Sequence, residues 1–267
     1  MSDRARLDIR LMASVPRALF DIIAIDQVLN CLIAFKMISI IIPTFNEEDH
    51  IAATIHYLRQ CGNQELLTEI TIVDGGSADK TVKEAEKAGA DRVVVSAKKG
   101  RAVQMNFGAS HAKGDILYFL HADTLPPVDF SGNIAKAVKS GYQAGCFRLS
   151  FDHKHWFLKA NCWFTRFDVD AFRFGDSSLF VSRELFIRTG GFSENHLLLE
   201  DQEIVWRLKR FCRFVIIQKP VITSARKYLQ NGIYKTQGIY FLIYLMYRMG
   251  VKQPKLRSTY RKLVKQY

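Results

Sequence analysis

Asp74 is the residue whose position most directly suggests chemistry. It closes the apolar run Ile70-Thr71-Ile72-Val73 and is followed by Gly75-Gly76-Ser77-Ala78-Asp79. Two glycines after a strand allow a tight turn and close backbone approach, and open α/β sheets bind ligands at such carboxyl edges. A carboxylate held there can accept hydrogen bonds from a base or a ribose. Asp-Gly is also an ordinary turn dipeptide in which the carboxylate bonds its own backbone, so a purely local role stays open at this point. Two further apolar runs end in polar groups. Residues 37–42 lead into Pro43-Thr44-Phe45-Asn46-Glu47-Glu48, and residues 115–120 lead into His121-Ala122-Asp123-Thr124-Leu125-Pro126.

These side chains need a scaffold, and the hydrophobic pattern supplies one. The β-branched, almost wholly apolar run at 37–42 is what a parallel strand buried on both faces requires. Helical periodicity follows at 50–60, at 79–89 behind Ser77 as N-cap, at 102–111 and at 130–140. Strands are expected at 92–95, 115–120, 144–151, 176–182 and 214–217, and helices at 183–189, where Gly190-Gly191 stops the segment, and 199–210. Alternation of this kind predicts an α/β fold, a doubly wound mixed sheet with one ligand-binding rim. The stretch 155–174 is rich in aromatics and reads as core or as the wall of an acceptor groove.

Composition narrows the partners. The chain has 267 residues, 48% hydrophobic and 24% charged, enough for one α/β domain with appendages. Its net charge of +12 favours an anionic ligand or an anionic membrane surface. Nucleic acid is excluded as a partner because no helix-turn-helix, zinc-finger or RNA-recognition signature accompanies the charge. Five dispersed cysteines without a C-x-x-C pair indicate a reducing compartment, hence a cytoplasmic location, and argue against disulfides or zinc. Residues 1–36 read as an N-terminal extension, helical or disordered. Their apolar stretch 19–35 is interrupted by Asp21 and Asp26, so it suits an amphipathic helix better than a membrane span. Residues 37–225 form the expected catalytic domain. Residues 226–267 form a basic helical tail that could lie on the inner face of an anionic membrane or pack on the domain.

The three rim motifs, in this order and spacing and with Leu199-Glu200-Asp201 behind them, resemble family 2 glycosyltransferases from Met37 to about Tyr260. Lys99-Gly100-Arg101-Ala102-Val103-Gln104-Met105-Asn106, Phe174-Gly175-Asp176, Arg188-Thr189-Gly190-Gly191-Phe192 and Ser224-Ala225-Arg226 look, more narrowly, like a bacterial subfamily associated with radical-SAM/selenodomain genes and arsenosugar biosynthesis. The family resemblance implies a GT-A fold and inverting transfer from a nucleotide-diphosphate sugar to a hydroxyl on a small molecule or a lipid. It implies Asp74 as the nucleobase ligand, with Pro43, Thr44, Asn46, Glu47 and Gly75 framing base and ribose. It implies Asp201 as the general base, positioned by Glu200. In place of the family's Asp-x-Asp this chain has His121-x-Asp123, which leaves Asp123 as the hard oxygen ligand for Mg²⁺ or Mn²⁺, with His121 able to ligate Mn²⁺, bond a ribose or only pack. Arg101 and Arg226 are the cations that could reach the diphosphate, and Asp176 could grip donor-sugar or acceptor hydroxyls. No Gln-x-x-Arg-Trp signature follows the Glu-Asp pair, which implies single transfer rather than polymerisation. The rival readings are a catalytically decayed nucleotide-sugar-binding protein, for which the missing first Asp is the support, a nucleotidyltransferase, which lacks its Gly-rich loop here, and a basic membrane-surface scaffold.

Overall fold

Among the described residues, eight strands form one mixed sheet: β1 (Ile38–Thr44), β2 (Leu67–Asp74), β3 (Arg92–Val95), β4 (Ile116–Phe119), β5 (Thr124–Leu125), β6 (Ala144–Phe151), β7 (Leu179–Ser182) and β8 (Phe214–Thr223). A computed structural model describes residues 37–169 and 178–264. Expectations for residues 1–36, for Phe172 and Phe174 and for Asp176 lie outside the described residues. The sheet runs β3-β2-β1-β4-β7-β6-β8-β5. The half from β3 to β4 is parallel. Beyond it β7 is antiparallel to both β4 and β6, and β8 is parallel to β6.

The period-2 alternation of β1 explains why helices cover both faces. Ile38, Ile40 and Ile42 point to one side, against Ile51, Ile55 and Leu58 of α1 (Ile51–Cys61), Ala85 of α2 (Thr81–Lys87), and Phe130 and Ile134 of α4 (Phe130–Lys139). Ile41 points to the other side, with Ala102, Met105 and Ala109 of α3 (Arg101–His111), Leu185 and Phe186 of α6 (Arg183–Arg188), and Ile204, Val205 and Leu208 of α7 (Glu200–Leu208). A strand buried on both faces has no solvent side to mark with polar residues, hence a run that is apolar but for the buried Ser39, whose hydroxyl donates to Glu69 at 2.8 Å. Contact between α3 and this face is close at Gly108. A Cβ there would stand 2.5 Å from Ile41 Cγ2 and 2.9 Å from Val73 Cγ2. Gly108→Ala is therefore expected to cost about 1–3 kcal/mol by overpacking, read as a lower urea midpoint at unchanged slope.

One element differs from the sequence expectation, and it shapes the rim. The last strand does not end at Ile217. It continues to Thr223 past a register shift, Phe147 pairing with Ile217 and Arg148 with Pro220, so that Pro220 sits at the bulge where a missing N–H is tolerated. Its far end then pairs antiparallel with the two-residue β5, Thr124 opposite Thr223. The tail packs on the domain, one of the two arrangements the sequence left open. Residues Lys36–Tyr267 make one compact unit. Within it α8 (Arg226–Asn231), α9 (Ile233–Arg248) and α10 (Gln253–Leu263) follow α5 (Trp156–Phe164) in packing beside the sheet, with Tyr228 against Phe151 and Leu158.

Candidate active site

The carboxyl ends of β1 and β2 are cross-braced into one shelf. Thr44 lies opposite Asp74, and the Gly75 N–H donates to the Thr44 carbonyl at 2.8 Å. Asp74 is 1% exposed and its carboxylate is taken up by its own loop: the Gly76 and Ser77 N–H groups donate at 2.8 Å each, the Ser77 hydroxyl at 2.5 Å and the Thr44 hydroxyl at 3.4 Å. This is the turn-forming role. Asn46, in the left-handed region at φ 53°, is committed in the same way, receiving the Ala78 N–H at 3.0 Å while its own N–H donates to Ser77 Oγ at 2.9 Å. Sequence reasoning gave Gln104 no role, yet its amide donates to both the Thr44 carbonyl (2.8 Å) and the Val73 carbonyl (2.7 Å) and so ties the two strand ends to α3. A glutamine on an otherwise apolar helix face, beside Ala102, Met105 and Ala109, was the available signal.

Two clusters of opposite charge stand on this rim, each with one arginine between two carboxylates. In the first, Arg101 Nη1 lies 3.3 Å from Glu200 Oε1 and 3.6 Å from Asp201 Oδ2. In the second, Arg226 Nη2 donates to both Glu47 oxygens at 3.0 and 3.2 Å and lies 3.7 Å from Asp123 Oδ2. Burial pushes the Glu47 carboxyl above its ordinary value even though the Arg226 guanidinium draws it down, and the Asp123 charge adds to the rise. A mostly apolar pocket between the sheet end and α7, walled by Met105, Phe119, Leu179 and Val205, also has Pro43, His121 and Asp201 in its lining, so Asp201 and His121 border one cavity. Eleven of the expected site residues are thus gathered at one edge: Pro43, Thr44, Glu47, Asp74, Gly75, Arg101, His121, Asp123, Glu200, Asp201 and Arg226. Asn46 braces the shelf beneath them, and Asp176 falls outside the described residues.

The Glu200-Asp201 segment is held from an unexpected side. Leu199 has φ 64°, a conformation that costs a residue with a Cβ about 1–2 kcal/mol. Packing pins it there, since Leu198 and Leu199 lie against Ile239 and Ile243 of α9 and Val264. The Gln253 side-chain oxygen also accepts the Leu197 and Leu198 N–H groups at 3.0 and 3.1 Å. Gln253→Ala is expected to lower stability by about 1–2 kcal/mol and to reduce kcat more than KM, measured by thermal unfolding and steady-state kinetics.

Residues 39–188 match the model described as Glycosyl transferase family 2. The chain belongs to this family. Among curated relatives of this glycosyltransferase, the undecaprenyl-phosphate 4-deoxy-4-formamido-L-arabinose transferase of Edwardsiella ictaluri is 28% identical over 114 residues, covering 40% of this chain and 35% of that protein. A dolichyl N-acetyl-alpha-D-glucosaminyl phosphate 3-beta-D-2,3-diacetamido-2,3-dideoxy-beta-D-glucuronosyltransferase of Methanococcus voltae is 34% identical over 104 residues, 37% of this chain and 32% of that one. The matched region is thus about a third of each relative's length. Solved structures show the GT-A fold. The mannosyltransferase PcManGT of Pyrobaculum calidifontis, in complex with GDP-Man and Mn²⁺, superposes with a TM-score of 0.64 at 18% identity, over 83% of this chain and 68% of that one. Glucosyl-3-phosphoglycerate synthase of Mycobacterium tuberculosis, in complex with Mn²⁺, UDP and glucosyl-3-phosphoglycerate, does so at 0.60 and 18% identity, over 82% and 81%.

Proposed function

We propose that this glycosyltransferase moves one sugar, with inversion, from a nucleotide-diphosphate sugar to an acceptor hydroxyl, without processive elongation. The observation that carries the reading is the shared pocket of Asp201 and His121 at the sheet's carboxyl edge, flanked by the two arginine clusters. The acceptor oxygen attacks the anomeric carbon while Asp201 takes its proton. The bond from that carbon to the diphosphate oxygen breaks with its electron pair, and the leaving diphosphate carries the charge away. Glu200, beside Asp201 and on the same guanidinium of Arg101, fixes the direction of the base. Base and ribose rest on the shelf of Pro43, Thr44 and Gly75. NMR of the product of a single turnover tests the stereochemistry: inversion of the anomeric configuration is expected, and retention would remove Asp201 from its role.

The acceptor is proposed to be presented at an anionic membrane surface. Tyr234, Phe241, Leu242 and Leu245 are exposed along α9 at helical spacing, with Met249 exposed at its C-cap, among the exposed basic residues Lys235, Arg248, Lys252, Lys255, Arg257, Arg261 and Lys262. No described helix is long and apolar enough to cross a membrane, and such a face suits peripheral docking. Sedimentation with vesicles is expected to show binding to phosphatidylglycerol-containing membranes that weakens with salt and is absent on neutral phosphatidylcholine. Equal binding to both would exclude the electrostatic part of the reading.

A further inference from the structure

The sequence raised the expectation of Mg²⁺ or Mn²⁺ on Asp123 and His121, and the residues around Asp123 do not fit a dication. Arg226 already lies between the two carboxylates that could take one, bonded to both oxygens of Glu47 and 3.7 Å from Asp123. An arginine cannot deprotonate to make room, and a dication on Asp123 would stand next to a permanent positive charge. Among the described residues no three His, Cys, Asp or Glu side chains are gathered to hold a metal ion.

The guanidinium is also held in place by the backbone beneath it. Thr124 and Thr223 share a buried hydroxyl–hydroxyl hydrogen bond of 2.9 Å. The Ser224 N–H donates to the Asp123 carbonyl at 3.2 Å, and the Ala225 N–H to Asp152 Oδ1 at 2.8 Å. The loop carrying Asp123 and the segment entering α8 are thereby fastened to each other. All the protein contacts of the guanidinium use Nη2. The N–H groups on Nε and Nη1 have no acceptor among the described residues, and the side chain is one-third exposed. Three charged N–H donors on a one-third-exposed guanidinium make an oxyanion site.

We propose that Arg226, held by Glu47 and Asp123, is the resident cation that binds the donor's diphosphate in place of a divalent metal ion. This rests on the nucleotide-sugar reading above. Glu47 and Asp123 then act as holders of the arginine rather than as metal ligands, and the charge gained by the leaving diphosphate is met by Nε–H and Nη1–H of Arg226.

Calorimetry with inorganic pyrophosphate, UDP and GDP, each in excess EDTA and in Mn²⁺, tests it on wild type, Arg226→Met and Arg226→Lys, with circular dichroism to confirm folding. Wild type is expected to bind pyrophosphate and one of the nucleotides as well in EDTA as in Mn²⁺. Arg226→Met is expected to lose about tenfold or more in EDTA, the loss of a charge-assisted contact, and Arg226→Lys to fall between. Nucleotide binding by wild type that appears only with Mn²⁺ and is lost in Asp123→Asn would overturn the proposal and leave the donor reading intact. Failure of every probe in both conditions would overturn both. If Arg226→Met proves unfolded, Arg226→Lys and the EDTA comparison on wild type still decide.

Discussion

Asp201→Asn is expected to lower the transfer rate by about 10²–10⁴-fold while donor affinity stays within about twofold. The amide keeps the shape of the side chain in the pocket with His121 but cannot take the acceptor's proton. Single-turnover transfer and donor calorimetry on the same variant separate the two effects. Retention of the rate within about threefold would move the base elsewhere on the rim. Glu200→Gln is the comparison. It leaves Asp201, the proposed base, intact and changes only one of the two carboxylates that face Arg101, so a smaller loss is expected.

Asp74→Ala is expected to show the second large effect, and on stability before activity. Removing the carboxylate strands the Gly76 and Ser77 N–H groups and the Ser77 hydroxyl, all of which now donate to it in a site with 1% exposure. Hydrogen bonds to a charged acceptor contribute about 1.5–3 kcal/mol each and are not additive, so an overall loss of about 2–4 kcal/mol is expected in urea unfolding. Donor binding should fall with it, because the same loop braces the end of β1 through Asn46. Lost nucleotide binding in this variant is therefore the mark of a collapsed shelf. Glu47→Gln, whose side chain touches Arg226 and not the loop of Asp74, is the better probe of the rim itself. An Asp74→Ala variant with unchanged stability and lost donor binding would instead support the direct ligand role that the family resemblance implies.

The legible part of this protein is the part governed by local rules. The apolar runs of β1, β2 and β4 announced strands, and that of β1 a strand buried on both faces, because a strand covered by helices on each side has no solvent face to mark with polar residues. The glycines after Asp74 and the polar residues after each run marked where strands end, since chain reversal needs those residue types. The family followed from those ends taken together. The helices α1, α3 and α4 were readable to within a residue or two at each end for the same reason: periodicity and stop signals act over one or two turns.

Partnership across the rim was not legible. Arg226 and Glu47 are 179 residues apart, and no periodicity connects them. Their meeting depends on β8 passing its bulge at Pro220 and on a strand of two residues, β5, that pairs Thr124 with Thr223. A proline normally argues for ending a strand, so the sequence pattern stopped at Ile217, and two residues are too few to carry a pattern. Gln253 and α9 are likewise distant in the chain from the Leu197–Leu199 segment they hold. By itself the sequence determined the family, the strands that end at the rim and the residue types available there, because each is written in short-range spacing. Only the tertiary structure decided which carboxylate each arginine faces, that the Asp74 carboxylate is bonded by its own loop, and that the tail packs against the segment entering Glu200-Asp201. Those outcomes turn on distances of 3–4 Å between remote segments, which sheet order and long-range packing set.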